Sequence, residues 1–205
     1  MAKPRGPRRE DPDRALVRRC QRDRSPEAFR ELYGRHKDRV VNTAYHLIGD
    51  RDEALEAAQE VFLRVYRKID KFRGQSSFSS WLYRIAVNVA TDHRRRLGRA
   101  RSLLEAYSQH GPPAESWPRQ RGGRGGSDEH AARRETAEAV RRAVVRLSPK
   151  LAAVITLRYL EGLAYAEVAE ALGVSVGTVK SRLNRAHRAL APLVEDLAPE
   201  QRDET

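Results

Sequence analysis

The stretch "GVSVGTVKSRLNRA", residues 173–186, decides how the C-terminal part of this chain is read. Gly173 can take the positive φ that a sharp turn requires, and Val174-Ser175 complete a three-residue break between two helical patterns. One pattern covers Tyr165 to Leu172; the other runs from Val176 to about residue 193. This is the spacing of a helix-turn-helix. In the second helix Val176, Val179, Leu183, Ala186 and Leu190 form one apolar stripe, which turns the remaining side chains outward.

The outward set is Thr178, Lys180, Ser181, Asn184, Arg185 and Arg188. Lys and Arg suit guanine edges or phosphates, Asn suits adenine, and hydroxyls suit either. Gly177 lets backbone approach closely at a helix N-terminus that itself favours a phosphate. The helix before carries acids, with Glu161, Glu167 and Glu170 grouped at it, and Ala164 stands where a capping Ser or Thr is expected. The plainer alternative is that Lys180, Arg182, Arg185 and Arg188 only keep a surface helix soluble.

Working outward, a second helix pair precedes this motif: Ala137, Val140, Val144 and Leu147 mark one apolar face, and Ser148-Pro149 restart a helix that runs through Leu160 to Gly162. Further upstream, residues 99–127 hold Pro112, Pro113 and Pro118, then four glycines around Arg124, with no lasting period. They read as a linker that cannot build a core, either a solvated tether or, through its arginines and Trp117, a contact for nucleic acid. The N-terminal part is helical by period. Ser25-Pro26-Glu27 start a helix with Phe29, Leu32, Tyr33, His36, Val40, Ala44 and Leu47 on one face, broken at Gly49-Asp50. A second helix carries Leu55, Ala58, Phe62, Val65 and Ile69 inside, leaving Glu53, Glu56, Gln59 and Glu60 as an acidic outer face. A third, from Phe78, buries Trp81, Ile85, Val89 and Leu82 and ends in the basic cluster at residues 94–96.

No strand pattern appears, so the expected fold is all-α: two small helical domains joined by a flexible linker, the second with a helix-turn-helix. The boundaries read as a basic disordered tail at 1–12, a first domain at 13–97, a linker at 98–127, a second domain at 128–197 and a tail at 198–205. The chain has 205 residues with 40 Lys and Arg against 28 Asp and Glu, a formal charge of +12, so its field favours a polyanion or an anionic membrane surface. No apolar run is long enough to span a bilayer, and no hydrophobic stretch follows the N-terminal cations, which predicts a cytoplasmic protein without membrane insertion. Cys20 is the single cysteine, so it can form no internal disulfide and reads as a small core residue. The six histidines are scattered. There is no P-loop, no metal-spaced cluster and no nucleophile beside a base, so no cofactor, metal or enzymatic activity is expected.

Two segments together resemble the sigma factors of bacterial RNA polymerase, specifically the extracytoplasmic-function group. "LSPKLAAVITLRYLEGLAYAEVAEALGVSVGTVKSRLNRAHRAL" is similar to the family's fourth conserved region, and the segment from "AFRELYGRHKDRVV" through "DEALEAAQEVFLRVYRKIDKFRGQSSFSSWLYRIAVNVATDHRRR" to its second. The resemblance implies a subunit that directs core polymerase to promoters, reading the minus-35 element as duplex and the minus-10 element as single strand. It implies that Glu56, Gln59 and Glu60 dock on the clamp coiled coil of the largest polymerase subunit, with the flap as a further contact. Gln75, Ser76, Ser77 and Phe78 match the loop that captures a flipped minus-10 base, and Trp81, Arg84 and Asn88 the helix facing melted DNA. Two alternatives stay open: Ser76 to Ser79 as a helix cap, and Trp81 as core. Gly177, Thr178, Lys180, Ser181, Asn184, Arg185 and Arg188 match the minus-35 contacts. Primary sigma factors carry two adjacent aromatics where this chain has Trp81-Leu82, so the usual stacking wedge is incomplete. An anti-sigma factor is an expected partner. The rivals are a self-sufficient helix-turn-helix regulator, usually dimeric, and an enzyme such as a recombinase with a C-terminal helix-turn-helix.

Overall fold

The computed structural model describes residues 11–108 and 128–195. All regular structure among them is helical. The first domain comprises α1 (Arg14–Asp23), α2 (Pro26–Ile48), α3 (Arg51–Lys68), a 3₁₀ turn (Ile69–Lys71) and α4 (Phe78–Ser108). The second comprises α5 (Asp128–Arg146), α6 (Pro149–Ile155), which runs into a π-helical turn (Thr156–Leu160), α7 (Tyr165–Leu172) and α8 (Val176–Glu195).

In the first domain α2, α3 and α4 pack on one another and α1 lies across α2. Helices α2, α3 and α4 start where side-chain chemistry satisfies free N–H groups. The Ser25 hydroxyl accepts from Ala28 N at 3.2 Å, Asp50 accepts from the N–H groups of Asp52 and Glu53 at 3.1 Å, and Ser77 accepts from Ser80 N at 3.1 Å. Gly49 ends α2 at φ 87°. Small residues then let α3 approach closely: Ala54, Ala57 and Ala58 are buried beside Val61, Phe62 and Val65. They meet Leu32, Val40, Ala44 and Leu47 from α2 and Leu82, Tyr83, Ala86 and Val89 from α4. A fully buried side chain of this size contributes about 1.5–3 kcal/mol relative to exposure.

Several inward positions differ from the periodic reading. Leu55 is 43% exposed, because α3 turns its alanines, which pack closer, into the helix contact; Tyr33 on α2 is 43% exposed and meets Phe62 edge-on at 4.7 Å. Among the described side chains of α5, Ala139, Ala143 and Val144 are buried, with Leu147 just past its end, while Ala137 and Val140 face out. Helix α4 does not stop at the basic cluster but continues to Ser108, taking in the first residues read as linker. Gly98 stands inside the helix without ending it, no proline follows before residue 108, and the helix propagates through Arg and Leu, which favour it. The Pro- and Gly-rich remainder of the linker, the N-terminal tail as far as residue 10 and the C-terminal tail lie outside the described residues.

The N-terminus of the described chain is held by charge. Asp13 is buried, with its carboxylate 2.7 Å from His36 Nε2 and 3.1 Å from Arg35 Nη1. Burial alone would raise its pKa, but His36 and Arg35 outweigh that and hold it below the usual carboxylate range. Asp11 accepts from Phe78 N at 2.7 Å, and the Gln21 amide donates to the carbonyls of Ile69 and Phe72 at 2.8 Å. Together these tie α1 to the loop before α4. Cys20 is buried among this core, as its type suggested.

The two domains pack together. Helix α7 lies on α4, while α5, α6 and the π turn lie on α2.

Two stability outcomes follow. Asp13→Ala strips His36 of its buried partner and lowers stability by about 2–4 kcal/mol in urea titrations near neutral pH. Because the carboxyl pKa is lowered on folding, this contribution is complete above the ordinary carboxylate pKa and is lost as pH falls through the folded value; the gap between wild type and variant therefore closes in acid. Ser77→Ala removes the α4 cap and costs about 1 kcal/mol, whereas Ser76→Ala leaves thermal stability within about 0.5 kcal/mol of wild type.

Candidate nucleic-acid interface

Helix α8 is the clearest binding element. Gly173 has φ 65°, and the N–H groups of Gly173 and Val174 donate to the carbonyls of Glu170 (3.3 Å) and Ala169 (3.0 Å). Ser175 then caps the second helix: its hydroxyl accepts from Thr178 N at 3.1 Å and lies 2.8 Å from the Thr178 hydroxyl. At the preceding helix Glu167 accepts from Ala164 N at 2.7 Å, which supplies the cap that Ala164 lacks. Val179, Leu183 and Ala186 are buried. Val176 is not; at 40% exposure it stands at the open, capped end of α8, so the stripe begins one turn later than its period suggested.

Those anchors turn Lys180, Ser181, Asn184, Arg185 and Arg188 to solvent, with Gly177 exposed and Thr178 half-buried beside its cap. Arg185 reaches back to the Ser181 hydroxyl at 3.5 Å. Among the described residues no acidic side chain pairs with Lys180, Arg185 or Arg188. A helix that keeps its cations unneutralised on one face presents them to an anion.

The second region is the loop 73–77 with the start of α4. Gly74 has φ 66°, and Arg73, Gly74 and Gln75 are exposed while Ser76 and Ser77 are half-buried. Phe78 differs from expectation: it is 1% exposed and packs on His36 and Phe72, so its ring belongs to the core and cannot receive a base. Ser77 is occupied as the α4 cap. Trp81 is half-buried, tilted against Phe72 and Phe78 at centroid distances of 5.2 and 5.9 Å. Arg84 and Asn88 are exposed one and two turns further on. Two cavities, about 540 and 350 Å³, open between this loop and α7. The larger brings Arg14, Arg18 and Arg73 opposite Glu167 and Glu170; at the smaller, Arg84 donates to the Glu170 carbonyl.

The third region is the outer face of α3. Glu56 and Gln59 are exposed as expected. Glu60 is turned inward: it hydrogen-bonds His93 Nε2 at 3.0 Å and pairs with Arg64, while Glu53 holds the other His93 nitrogen at 2.9 Å. The His93 hydrogen bond, opposed by partial burial and helped by Arg64, holds the Glu60 carboxyl below its usual pKa. Periodicity missed Leu55, Leu63 and Tyr66, which are 43%, 56% and 43% exposed on this helix. The signal was present in Leu63, which falls outside the apolar stripe. Acids interleaved with exposed apolar side chains suit a protein partner better than a solvated surface.

No group of three or more His, Cys, Asp or Glu that could hold a metal occurs among the described residues, and none of their helices is long and apolar enough to cross a membrane.

Comparison with known proteins agrees with this division into two elements. Residues 32–100 match the family model "Sigma-70 region 2" and residues 137–190 match "Sigma-70, region 4". The RNA polymerase sigma-H factor of Pseudomonas aeruginosa is 33% identical over 193 residues, 93% of this chain and 98% of its own. The ECF RNA polymerase sigma factor SigW of Bacillus subtilis is 34% identical, over 83% of this chain and 91% of its own. The ECF sigma-E factor of Escherichia coli K12 is 34% identical, over 90% and 95%. The same fold occurs in CnrH, solved with the cytosolic domain of CnrY (TM-score 0.65, 24% identity, 90% of this chain and 97% of that one). It also occurs in the sigma factor RpoE of Bartonella quintana, solved with the anti-sigma factor NepR (TM-score 0.58, 24% identity, 82% and 96%). With both regions present in order and relatives spanning nearly its whole length, the chain belongs to the extracytoplasmic-function group of the sigma-70 family of RNA polymerase sigma factors.

Proposed function

We propose that this sigma factor reads its promoters with two separate surfaces while a third holds it on the polymerase. The observation that carries the reading is α8, whose cations and amide stand outward on a buried Val179-Leu183-Ala186 stripe with no acid among the described residues paired to Lys180, Arg185 or Arg188. Lys180, Ser181, Asn184 and Arg185 are placed to reach base edges and phosphates of the minus-35 duplex, with Arg188 on phosphate and Gly177 and Thr178 at the helix N-terminus. On the loop, Gln75 and Ser76 offer short polar groups to an extruded minus-10 base, and Ser77 and Phe78 hold that loop in place from the core side. Arg84 and Asn88 continue the surface along α4, with Trp81 at its edge. Since Leu82 is fully buried and Trp81 is packed on two phenylalanines, strand opening leans on base capture rather than on an aromatic wedge.

Glu56 and Gln59, flanked by Leu55 and Leu63, form the face offered to the clamp coiled coil of the polymerase, and Glu60 stiffens that face through His93. The flap is the contact for the second domain. All of this is binding, with no covalent chemistry, and it takes place in the cytoplasm. An anti-sigma factor is proposed as a further partner, since structural neighbours were solved with a bound inhibitor or partner domain.

The direct test is transcription in vitro with core polymerase and a promoter library. Addition of the protein gives initiation at a defined set of promoters; if no template responds, the reading fails, and tight duplex binding by the isolated protein as a dimer would favour the self-sufficient regulator. Within that set, Arg185→Ala loses about 1–3 kcal/mol of discrimination at one minus-35 position, measured by competition binding. A loss spread evenly over all sequences would instead make Arg185 a phosphate contact.

A further inference from the structure

Loop 73–77 is held at both of its ends by one stretch of chain, residues 11–24, all of which precede the region 2 match. At the near end, the 3₁₀ turn Ile69–Lys71 closes α3 and leaves backbone carbonyls that need donors. The Phe72 N–H donates to the Ile69 carbonyl at 3.0 Å. The remaining donors come from α1. The Gln21 amide donates to the carbonyls of both Ile69 and Phe72 at 2.8 Å, so its two N–H bonds are spent on the residues that lead into the loop. Arg24, just past the end of α1, pairs with Asp70 of the same turn.

At the far end, Phe78 opens α4, so its N–H has no partner within its own helix. Asp11 supplies one: a carboxylate oxygen accepts from Phe78 N at 2.7 Å, while the other accepts from Asp13 N at 3.1 Å. Between the two ends the rings of Phe72 and Phe78 meet edge-on, with centroids 6.0 Å apart, and close the neck of the loop. Arg73, Gly74 and Gln75 stand exposed beyond that neck.

The stretch that makes these ties is itself fixed. Leu16, Val17 and Cys20 are buried, and Asp13 is held by His36 and Arg35. Each tie from Gln21 and Asp11 lands on backbone that flanks the loop. A loop without such ties would be ordered only on binding, and that ordering costs affinity. The loss falls first on selectivity, because a loop free to shift can repack to suit a different base.

We infer that Gln21 and Asp11 are positioning residues for minus-10 selectivity: from opposite ends of one stretch they set the two stems of loop 73–77, so that Gln75 and Ser76 meet an extruded base in one fixed geometry. The inference rests on the reading of that loop as the minus-10 reader.

Transcription by core polymerase with the full chain tests it on three templates: an active promoter, the same promoter with a minus-10 base substituted, and the same with a minus-35 base substituted. Each intact-to-substituted ratio is taken by template competition, below the melting temperature that circular dichroism gives for every variant. A lower folded fraction scales all templates alike and cancels in the ratio. Gln21→Leu and Asp11→Ala, which release the two stems separately, each lower the minus-10 ratio ~5-fold, the effect of about one lost hydrogen bond. The minus-35 ratio stays within ~2-fold of wild type, as for sites too distant to couple. The double variant Gln75→Ala/Ser76→Ala, on the loop itself, serves as the control and lowers the minus-10 ratio as well. If the control lowers it and either Gln21→Leu or Asp11→Ala leaves it at the wild-type value, the positioning role is overturned while the loop keeps its reading. Equal falls in both ratios would also overturn the role, since they mark a general loss of DNA engagement. If the control leaves the minus-10 ratio unchanged, the reading of the loop falls and the inference falls with it.

Discussion

A buried carboxylate cannot stand alone. Moving one out of water costs several kcal/mol unless donors surround it, and the donors around Glu161 all belong to the other half of the molecule. That requirement draws the π turn of the second domain against α2 and α4, and α7 lies on α4 beside it. The π turn that delivers Glu161 is itself a departure from regular helix, of the kind that recurs at functional positions.

The same logic separates the side chains that serve structure from those left for binding. Ser77 is used as a cap, Phe78 as core, and Glu60 as a brace on His93. Lys180, Asn184, Arg185 and Arg188 have no such task. The α3 face is intermediate, with Glu56 and Gln59 free to meet a partner and Leu55 and Leu63 exposed at a cost that an interface would recover.

Much of this was legible in the linear pattern. Helix starts at Ser25 and Ser148, glycines at the helix breaks and the stripe on α8 gave the helices, their order and the helix-turn-helix. The misreadings share a physical cause. Leu55, Ala137, Val140 and Val176 were placed inside because they are apolar and in period, while Ala54, Ala57, Ala139 and Ala143 form much of the actual contact. Close helix packing selects small residues, which carry a weak hydrophobic signal. Helix α4 outran its expected end because Gly98 stays helical and no proline follows it before residue 108. The role of Phe78 was misassigned by likeness of motif, which gives the position of a loop but not the direction of each ring.

By itself the sequence determined that the protein is all-helical and basic with a helix-turn-helix, since periodicity, capping and charge are local properties of the chain, and the likeness of two segments placed it among the sigma factors. Tertiary structure alone decided that the two domains pack on each other and that Glu161 is buried between them. Arg39, Thr43, Tyr83 and Glu161 lie 78 to 122 residues apart across that contact, and in the sequence Glu161 was one more acid near a cationic helix. Only its burial, and the placement of three donors around it, gave it a different role.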